Sequence, residues 1–152
     1  MKMWSPAFKE GGIIPSRYTC EGKNINPPLQ IKDVPPLAKS LVLIIDDPDV
    51  PKKLYPIGVF DHWVVYNISP HQNSIQENSI PGVEGVNSSG NRGYTGPCPP
   101  DREHRYFFKI YALDVILDLP AGKTKKEVEA AIDGHVLMKY EFIGRYEKDQ
   151  GY

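Results

Sequence analysis

The sequence predicts a mainly β protein of the β-sandwich class, and three observations lead to this prediction. Three segments have the apolar, β-branched and aromatic composition of strands: Ser40 to Asp46, His62 to Ile68 and Arg105 to Leu113. Proline and glycine number 15 and 13, which is typical of a chain with many turns. Only one segment has clear helix signals. A β-sandwich lets several such strands share one core.

The weaker elements follow from local patterns. Trp4 to Phe8 and Leu29 to Val34 are predicted as short strands, and apolar residues alternate over Val136 to Phe142 as in a closing strand. Thr124 and Glu127 fit a capping box at the start of a helix that Gly134 is placed to end. The stretch from Ser69 to Arg102 has no obvious element. A stretch of this length is usually functional or disordered.

The bulk numbers describe one ordinary domain spanning residues 1–152. The chain is 40% hydrophobic and 24% charged, and its net charge of -1 gives no indication of nucleic acid or a membrane surface as a partner. It contains no run of 18 apolar residues, so we expect no membrane span. The amino-terminal residues lack the apolar core of a signal peptide, so we expect a cytoplasmic protein.

The two cysteines, Cys20 and Cys98, are too few for a disulfide scaffold and match no zinc spacing. In a reducing cytoplasm two free thiols are the default state. The alternative is that the fold joins them in a disulfide with a redox role.

An acidic turn, Asp47-Pro48-Asp49-Val50-Pro51, follows the first long strand. Its two prolines fix the backbone around two carboxylates and hold them in a set direction. The turn is either a rigid acidic lip on a pocket or a solvated turn in which aspartate accepts backbone hydrogen bonds. This segment alone favours the solvated turn.

The loop from Gly90 to Tyr106 carries the most information. Its glycines permit close approach of the backbone to a ligand, and its prolines stiffen it, so backbone N–H groups could form a concavity suited to an anion. His104 and Tyr106 are two residues apart on a strand and therefore share a face, and both can donate hydrogen bonds. His62 opens the preceding long strand. The alternatives are a proline-rich connection and ordinary strand-end histidines.

Several short motifs occur in order along essentially the whole chain. They are Arg17 to Gly22, Asn26 to Leu29, Asp47 to Pro51, His62 to Asn67, Gly90 to Tyr111 and Gly134 to Tyr146. Together they resemble the phosphatidylethanolamine-binding proteins, a family that includes the Raf kinase inhibitor proteins of animals and short bacterial and archaeal members. Each motif is weak singly, and the combination is specific.

This resemblance implies a Greek-key β-sandwich of one large and one small antiparallel sheet with one or two short helices. It also implies a pocket for phosphate, acetate or the phosphoethanolamine head of a lipid. Matched by motif, the ligand-binding residues are Asp47, His62, His104 and Tyr106, with Gly96, Pro97, Cys98, Pro99 and Pro100 as one wall and Asp49 as a buttress of the acidic turn.

The function predicted on this basis is that of a non-catalytic binding protein. The expected partner is a small anion or phosphorylated ligand, with a kinase or serine protease as the target of regulation or inhibition. We expect no cofactor, no metal and no nucleic acid, and small relatives make a homodimer an expected assembly. His62 and His104 would donate to ligand oxygens while Asp47 orients a histidine. Binding should then strengthen as the pH falls through the histidine range, near ~6.5.

The alternative function is a metal- or His/Asp-dependent hydrolase acting on a phosphoester. Two histidines and a carboxylate can bind a metal or serve as acid and base. Against this reading, Asp47, His62 and His104 have no short metal-ligand spacing, and the chain has no Gly-x-Ser-x-Gly motif. Cys98 could act as a thiolate nucleophile, although a cysteine between two prolines is more simply a small wall residue.

Overall fold

The computed structural model describes residues 1–149 as two antiparallel β-sheets and one α-helix. The small sheet has the strand order β1-β2-β5, with β1 at Lys2–Trp4, β2 at Leu29–Lys32 and β5 at Ser74–Ile75. The large sheet has the order β6-β4-β3-β7-β8, with β3 at Ser40–Asp47, β4 at Phe60–Ile68, β6 at Val83–Glu84, β7 at His104–Leu113 and β8 at Val136–Tyr146. The predicted mainly β sandwich is confirmed.

The large sheet is covered on both faces. Leu41, Leu43 and Ile45 of β3 face the small sheet and belong to the larger apolar cluster. Val42 and Ile44 face the other way, into a second cluster that includes helix residues. Because β3 is buried on both faces, its sequence is a continuous apolar run and does not alternate.

The helix α1 spans Lys125–Ile132 and supplies this third layer. Its capping box is confirmed, since the Thr124 hydroxyl accepts from the Glu127 N–H at 3.2 Å and the Glu127 carboxylate accepts from the Thr124 N–H at 3.1 Å. Gly134 follows the helix at φ +80°, a conformation that glycine adopts without steric cost. In the described part of the chain, no helix is long and apolar enough to cross a bilayer.

Several predicted boundaries are wrong. The strand expected over Trp4 to Phe8 lies at Lys2–Trp4 and shares only Trp4 with that range. It ends there because the Ser5 hydroxyl accepts from the Ala7 N–H at 3.1 Å and turns the chain. The closing strand β8 continues to Tyr146, where it pairs with His104. The stretch from Ser69 to Arg102 is ordered and contains β5 and β6, which are too short to leave a periodic signal.

Cys20 and Cys98 form a disulfide, so the expectation of two free thiols is wrong. The bond joins the segment after the 3₁₀ turn Ser16–Tyr18 to the proline-rich loop before β7. The two Cα atoms lie 5.5 Å apart, within the usual range for a disulfide. The Cys20 N–H also donates to the Pro97 carbonyl at 3.1 Å. The disulfide therefore ties two segments that are already hydrogen-bonded.

Candidate functional site

A cavity of about 320 Å³ opens where β3, β4 and β7 reach the same edge of the sandwich. Four residues predicted from sequence meet there: Asp47, His62, His104 and Tyr106. Gly96, Cys98 and Pro99 also line it, whereas Pro97 and Asp49 lie outside its lining. Pro100, the last residue of the predicted wall, lines the cavity as well. Sequence reasoning did not identify the remaining lining residues, which are Val50, Leu54, Tyr55, Phe60, Ser88, Ser89 and Thr95.

Asp47 and His104 form a buried pair at the base of this cavity. His104 Nδ1 lies 2.7 Å from Asp47 Oδ2, and the two side chains are 0% and 2% exposed. The other carboxylate oxygen of Asp47 accepts from the Asp49 N–H at 2.7 Å. Burial raises the pKa of Asp47, against the lowering effect of these two hydrogen bonds. Asp47 therefore fixes the orientation of the His104 ring.

The second ring nitrogen of His104 is also occupied. Nε2 lies 2.7 Å from Oδ1 of Asp101, whose side chain is 40% exposed. The hydrogen bond from His104 lowers the pKa of Asp101. His104 thus has a carboxylate on each nitrogen, and the expected donation from His104 to a ligand oxygen requires Asp101 to move away. Asp101 was not identified from sequence because only the loop fold brings it onto His104.

His62 reaches the cavity through an irregularity in the pairing of β3 and β4. Ile45 pairs with Trp63 and Asp46 pairs with Asp61, so His62 has no opposite residue on β3. A bulge of this kind re-aims the side chains around it. Asp61 consequently turns toward Lys125, at 3.5 Å, while His62 lines the cavity.

The buried His62 ring is hydrogen-bonded through Nδ1 to the Thr95 carbonyl at 2.7 Å. Burial lowers the pKa of His62 to about 4, and the Thr95 hydrogen bond only partly offsets this. His62 therefore becomes charged only toward pH 4 and does not contribute to the predicted strengthening of binding near pH 6.5, which stays a prediction.

The hydroxyl of Tyr106 is buried inside this arrangement. Among residues 1–149 it is the one buried side-chain polar atom without a hydrogen-bond partner. The Tyr106 ring packs edge-on against His62, with centroids 5.2 Å apart. Burial raises the pKa of Tyr106, so the hydroxyl keeps its proton. A buried hydroxyl without a partner costs about 1–3 kcal/mol, and a ligand oxygen in the cavity would supply that partner.

The loop before β7 forms a wall, and Gly96 and the neighbouring prolines do not supply N–H groups to the predicted concavity. The Gly96 N–H is already bonded to Asn24 Oδ1 at 2.7 Å, and the neighbouring prolines have no N–H. Gly96 is required by close packing, since a Cβ there would lie 2.4 Å from the Tyr18 carbonyl oxygen. The wall therefore shapes the cavity without donating from these positions.

Asp49 buttresses the acidic turn, as expected. Its carboxylate accepts from the Arg105 N–H, Nε and terminal guanidinium nitrogen at 2.8, 2.9 and 2.8 Å. These hydrogen bonds hold the pKa of Asp49 at about 2, below its ordinary range. The interaction ties the turn after β3 to the start of β7.

The low pKa of Asp49 gives a prediction about acid stability. Because the folded pKa is depressed below the unfolded value of ~3.9, Asp49 stabilises the fold above that pH, and the contribution is lost as the pH falls toward about 2. Asp49→Asn should lower the free energy of unfolding at pH 7 by about 1–2 kcal/mol, since Arg105 is half exposed. The difference should vanish near pH 2 in urea denaturation. Asp118→Asn, at an exposed carboxyl, is the control and should change the free energy of unfolding little. A loss for Asp49→Asn that does not depend on pH would contradict the assigned ion pair with Arg105.

A second ionic cluster lies on the opposite face of β3. The buried Asp46 carboxylate accepts from Lys109 Nζ at 2.9 Å and from Lys125 Nζ at 2.8 Å. Lys125 belongs to α1, so this cluster fastens the helix to the sheet. Nowhere in residues 1–149 do three or more His, Cys, Asp or Glu side chains form a group that could hold a metal.

Comparison with known proteins agrees with the fold and with the motifs. The family model described as phosphatidylethanolamine-binding protein matches residues 4–147. A UPF0098 protein of Chlamydia trachomatis is 49% identical over 150 residues, covering 98% of this chain and 100% of its own. A UPF0098 protein of Methanothermobacter thermautotrophicus is 49% identical over 155 residues, covering 97% and 99%.

Two solved structures are similar over nearly the whole length. A Chlamydia trachomatis protein described as a phosphatidylethanolamine-binding protein homologue superposes with a TM-score of 0.95 at 49% identity, covering 97% of each chain. YBCL of Escherichia coli, described as a member of the mammalian family, superposes with a TM-score of 0.87 at 25% identity, covering 97% of this chain and 98% of its own. The fold is a β-sandwich of the kind that these two structures share. The chain belongs to the phosphatidylethanolamine-binding protein family.

Proposed function

We propose that this chain is a non-catalytic binding protein whose cavity takes an oxygen-rich anionic group, with phosphate as the simplest example. The observation that carries the proposal is the Tyr106 hydroxyl, which is buried in the cavity without a partner beside His62. A hydroxyl in that position can donate its O–H to an oxygen of a bound ligand. Membership of a binding family supports the same reading.

The charges around the cavity are compatible with a small anion. Asp47 is engaged by His104 and by the Asp49 N–H, so both of its oxygens are already bonded. Asp49 is neutralised by Arg105. Their repulsion of an anion is reduced because each carboxylate has its own hydrogen-bond donors within the protein.

Tyr106→Phe tests this function. Because the hydroxyl has no hydrogen-bond partner within the protein, its removal should leave the free energy of unfolding unchanged or slightly higher. The same change should weaken phosphate binding about tenfold, the equivalent of one lost hydrogen bond of ~1.4 kcal/mol. Calorimetric titration with phosphate and with O-phosphoethanolamine measures the affinity.

Tyr66→Phe is the matched control. Tyr66 is buried on the other face of the sheet, where its hydroxyl donates to the Pro120 carbonyl. This variant should lose stability and keep its phosphate affinity. Equal affinities of the wild type and Tyr106→Phe, or no saturable binding by the wild type, would count against the proposed site.

The rim of the cavity favours an anion presented by a protein. Leu54 and Tyr55 line the entrance and are 61% and 37% exposed, and nearby Ile57 is 89% exposed. Apolar groups beside a polar pocket are typical of a protein-binding surface. We therefore extend the proposal to regulation or inhibition of a kinase or serine protease through a phosphorylated or acidic side chain. Assays of such enzymes in the presence of the chain test this part.

A further inference from the structure

The hydrogen bond of His62 fixes which ring nitrogen carries the proton. Nδ1 lies 2.7 Å from the Thr95 carbonyl oxygen, which can only accept, so Nδ1 is the donor. In a neutral imidazole the other nitrogen then has a lone pair and accepts. The Gly96 backbone is a second hydrogen-bonding group that raises the pKa of the ring, and no side chain among residues 1–149 bonds to Nε2 of His62. The cavity therefore offers a ligand an acceptor at this position.

The surroundings of His62 keep the ring neutral. It is 5% exposed and packs against Phe60 and Tyr106, with ring centroids at 4.7 and 5.2 Å. Burial lowers the pKa of His62 to about 4. Among the charged neighbours Asp46 raises this pKa and His104 lowers it, both by less than burial does. At pH 5 and above, Nε2 is consequently a lone-pair acceptor.

The base of the cavity supplies few donors, and the other hydroxyl groups of the lining belong to Tyr55, Ser88, Ser89 and Thr95. Tyr106 supplies one O–H, while His104 has a carboxylate on each ring nitrogen. A ligand oxygen without a hydrogen would place its lone pairs against those of His62 Nε2. An oxygen that carries a hydrogen can instead donate to Nε2, while a second oxygen of the same group accepts from Tyr106.

We propose that the cavity selects oxyanions that carry a proton, the phosphomonoester monoanion above all, over phosphodiesters and sulfate. This inference rests on the proposed function, since it names the ligand class of the same site. The diester head group of an intact phospholipid has no such proton and is a poor ligand of this site. A phosphorylated side chain or a free phosphomonoester has one.

Methyl phosphate and dimethyl phosphate give a matched test. At pH 5 both are monoanions, and only the monoester has a P–OH, because its second pKa is about 6. Calorimetry at pH 5 should give at least tenfold tighter binding of methyl phosphate. Between pH 5 and pH 8 its affinity should fall by up to about 100-fold, as the monoester loses that proton. Sulfate should bind weakly at both values.

A second pair of ligands distinguishes a free phosphomonoester from a lipid head group as the source of the phosphate. O-phosphoethanolamine is a monoester and glycerophosphoethanolamine is the diester found in the lipid head group, and both carry the same ammonium. Preference for O-phosphoethanolamine at pH 5 supports selection of the protonated monoester. Equal or tighter binding of glycerophosphoethanolamine overturns the inference and identifies a lipid head group as the ligand.

The tautomer is measured independently of binding. The ¹⁵N spectrum of the wild-type chain at pH 6 should show His62 Nε2 as an unprotonated nitrogen, and a protonated Nε2 overturns the inference.

His62→Gln places an amide that can donate as well as accept, so the preference for monoester over diester should shrink at least fivefold. If methyl and dimethyl phosphate bind equally while binding is saturable, the inference fails and the proposed function stands. If neither phosphate binds, both fail.

Discussion

Replacing His104 by phenylalanine is expected to lower the free energy of unfolding at pH 7 by about 3–5 kcal/mol. The change keeps an aromatic ring and removes the partner of Asp47, which is 2% exposed. Removing one member of a buried charged or hydrogen-bonded pair leaves the other desolvated without compensation. Urea denaturation followed by circular dichroism measures the loss, and one or two kcal/mol more would unfold a marginal domain.

Two comparisons test whether the loss comes from the stranded carboxylate. Asp47→Asn in the His104→Phe background should cost less than it does in the wild type, because the charge that lost its partner is no longer present. His135→Phe breaks a histidine–aspartate contact of 2.9 Å that is almost half exposed, and it should cost less than about 1 kcal/mol. If His104→Phe and His135→Phe cost the same, the buried pair does not stabilise the fold as argued.

Loss of the disulfide is expected to have the second large effect. The bond between Cys20 and Cys98 closes a loop with a sequence separation of 78 residues. The chain-entropy model gives about 4.5 kcal/mol for a loop of this length, and measured values are usually lower. Replacing both cysteines by serine should therefore lower the free energy of unfolding by about 2–4 kcal/mol in guanidinium chloride.

Reductant provides the internal control for that experiment. It should shift the unfolding midpoint of the wild type toward that of the double serine variant, and it should not shift the variant itself. The denatured, unreduced wild type should show no free thiol on titration. Two titratable thiols in that sample would contradict the disulfide, and with it the instability predicted for the variant.

The long strands were predictable because each has a local signal. Because β3 is buried on both faces, its sequence is an unbroken apolar run. The start of α1 is predicted by the capping-box residues Thr124 and Glu127. The short strands β5 and β6 were not predictable, since two residues cannot establish a period. The end of β1 was missed because Ser5 turns the chain through a side-chain hydrogen bond that a strand pattern does not encode.

The site residues were predictable in kind, and their hydrogen-bonding states were not. His104 and Tyr106 share a face because they are two apart on a strand, and that geometry is local. The hydrogen bond between His104 and Asp101 and the low pKa of His62 depend on how loops pack over the strand ends. The bulge that turns His62 into the cavity is a mismatch between two strands, and one strand's sequence does not reveal it.

The adjacent aspartates of β3 have a consequence for how the large sheet assembles. A strand that is apolar on both sides could pair one residue out of step with little loss of burial, because either set of side chains would still reach a core. Asp46 and Asp47 remove that freedom. A slip of one position would turn Asp46 away from Lys109 and Lys125 and Asp47 away from His104, leaving two carboxylates buried without partners. The two carboxylates therefore disfavour any pairing of β3 that is out of register.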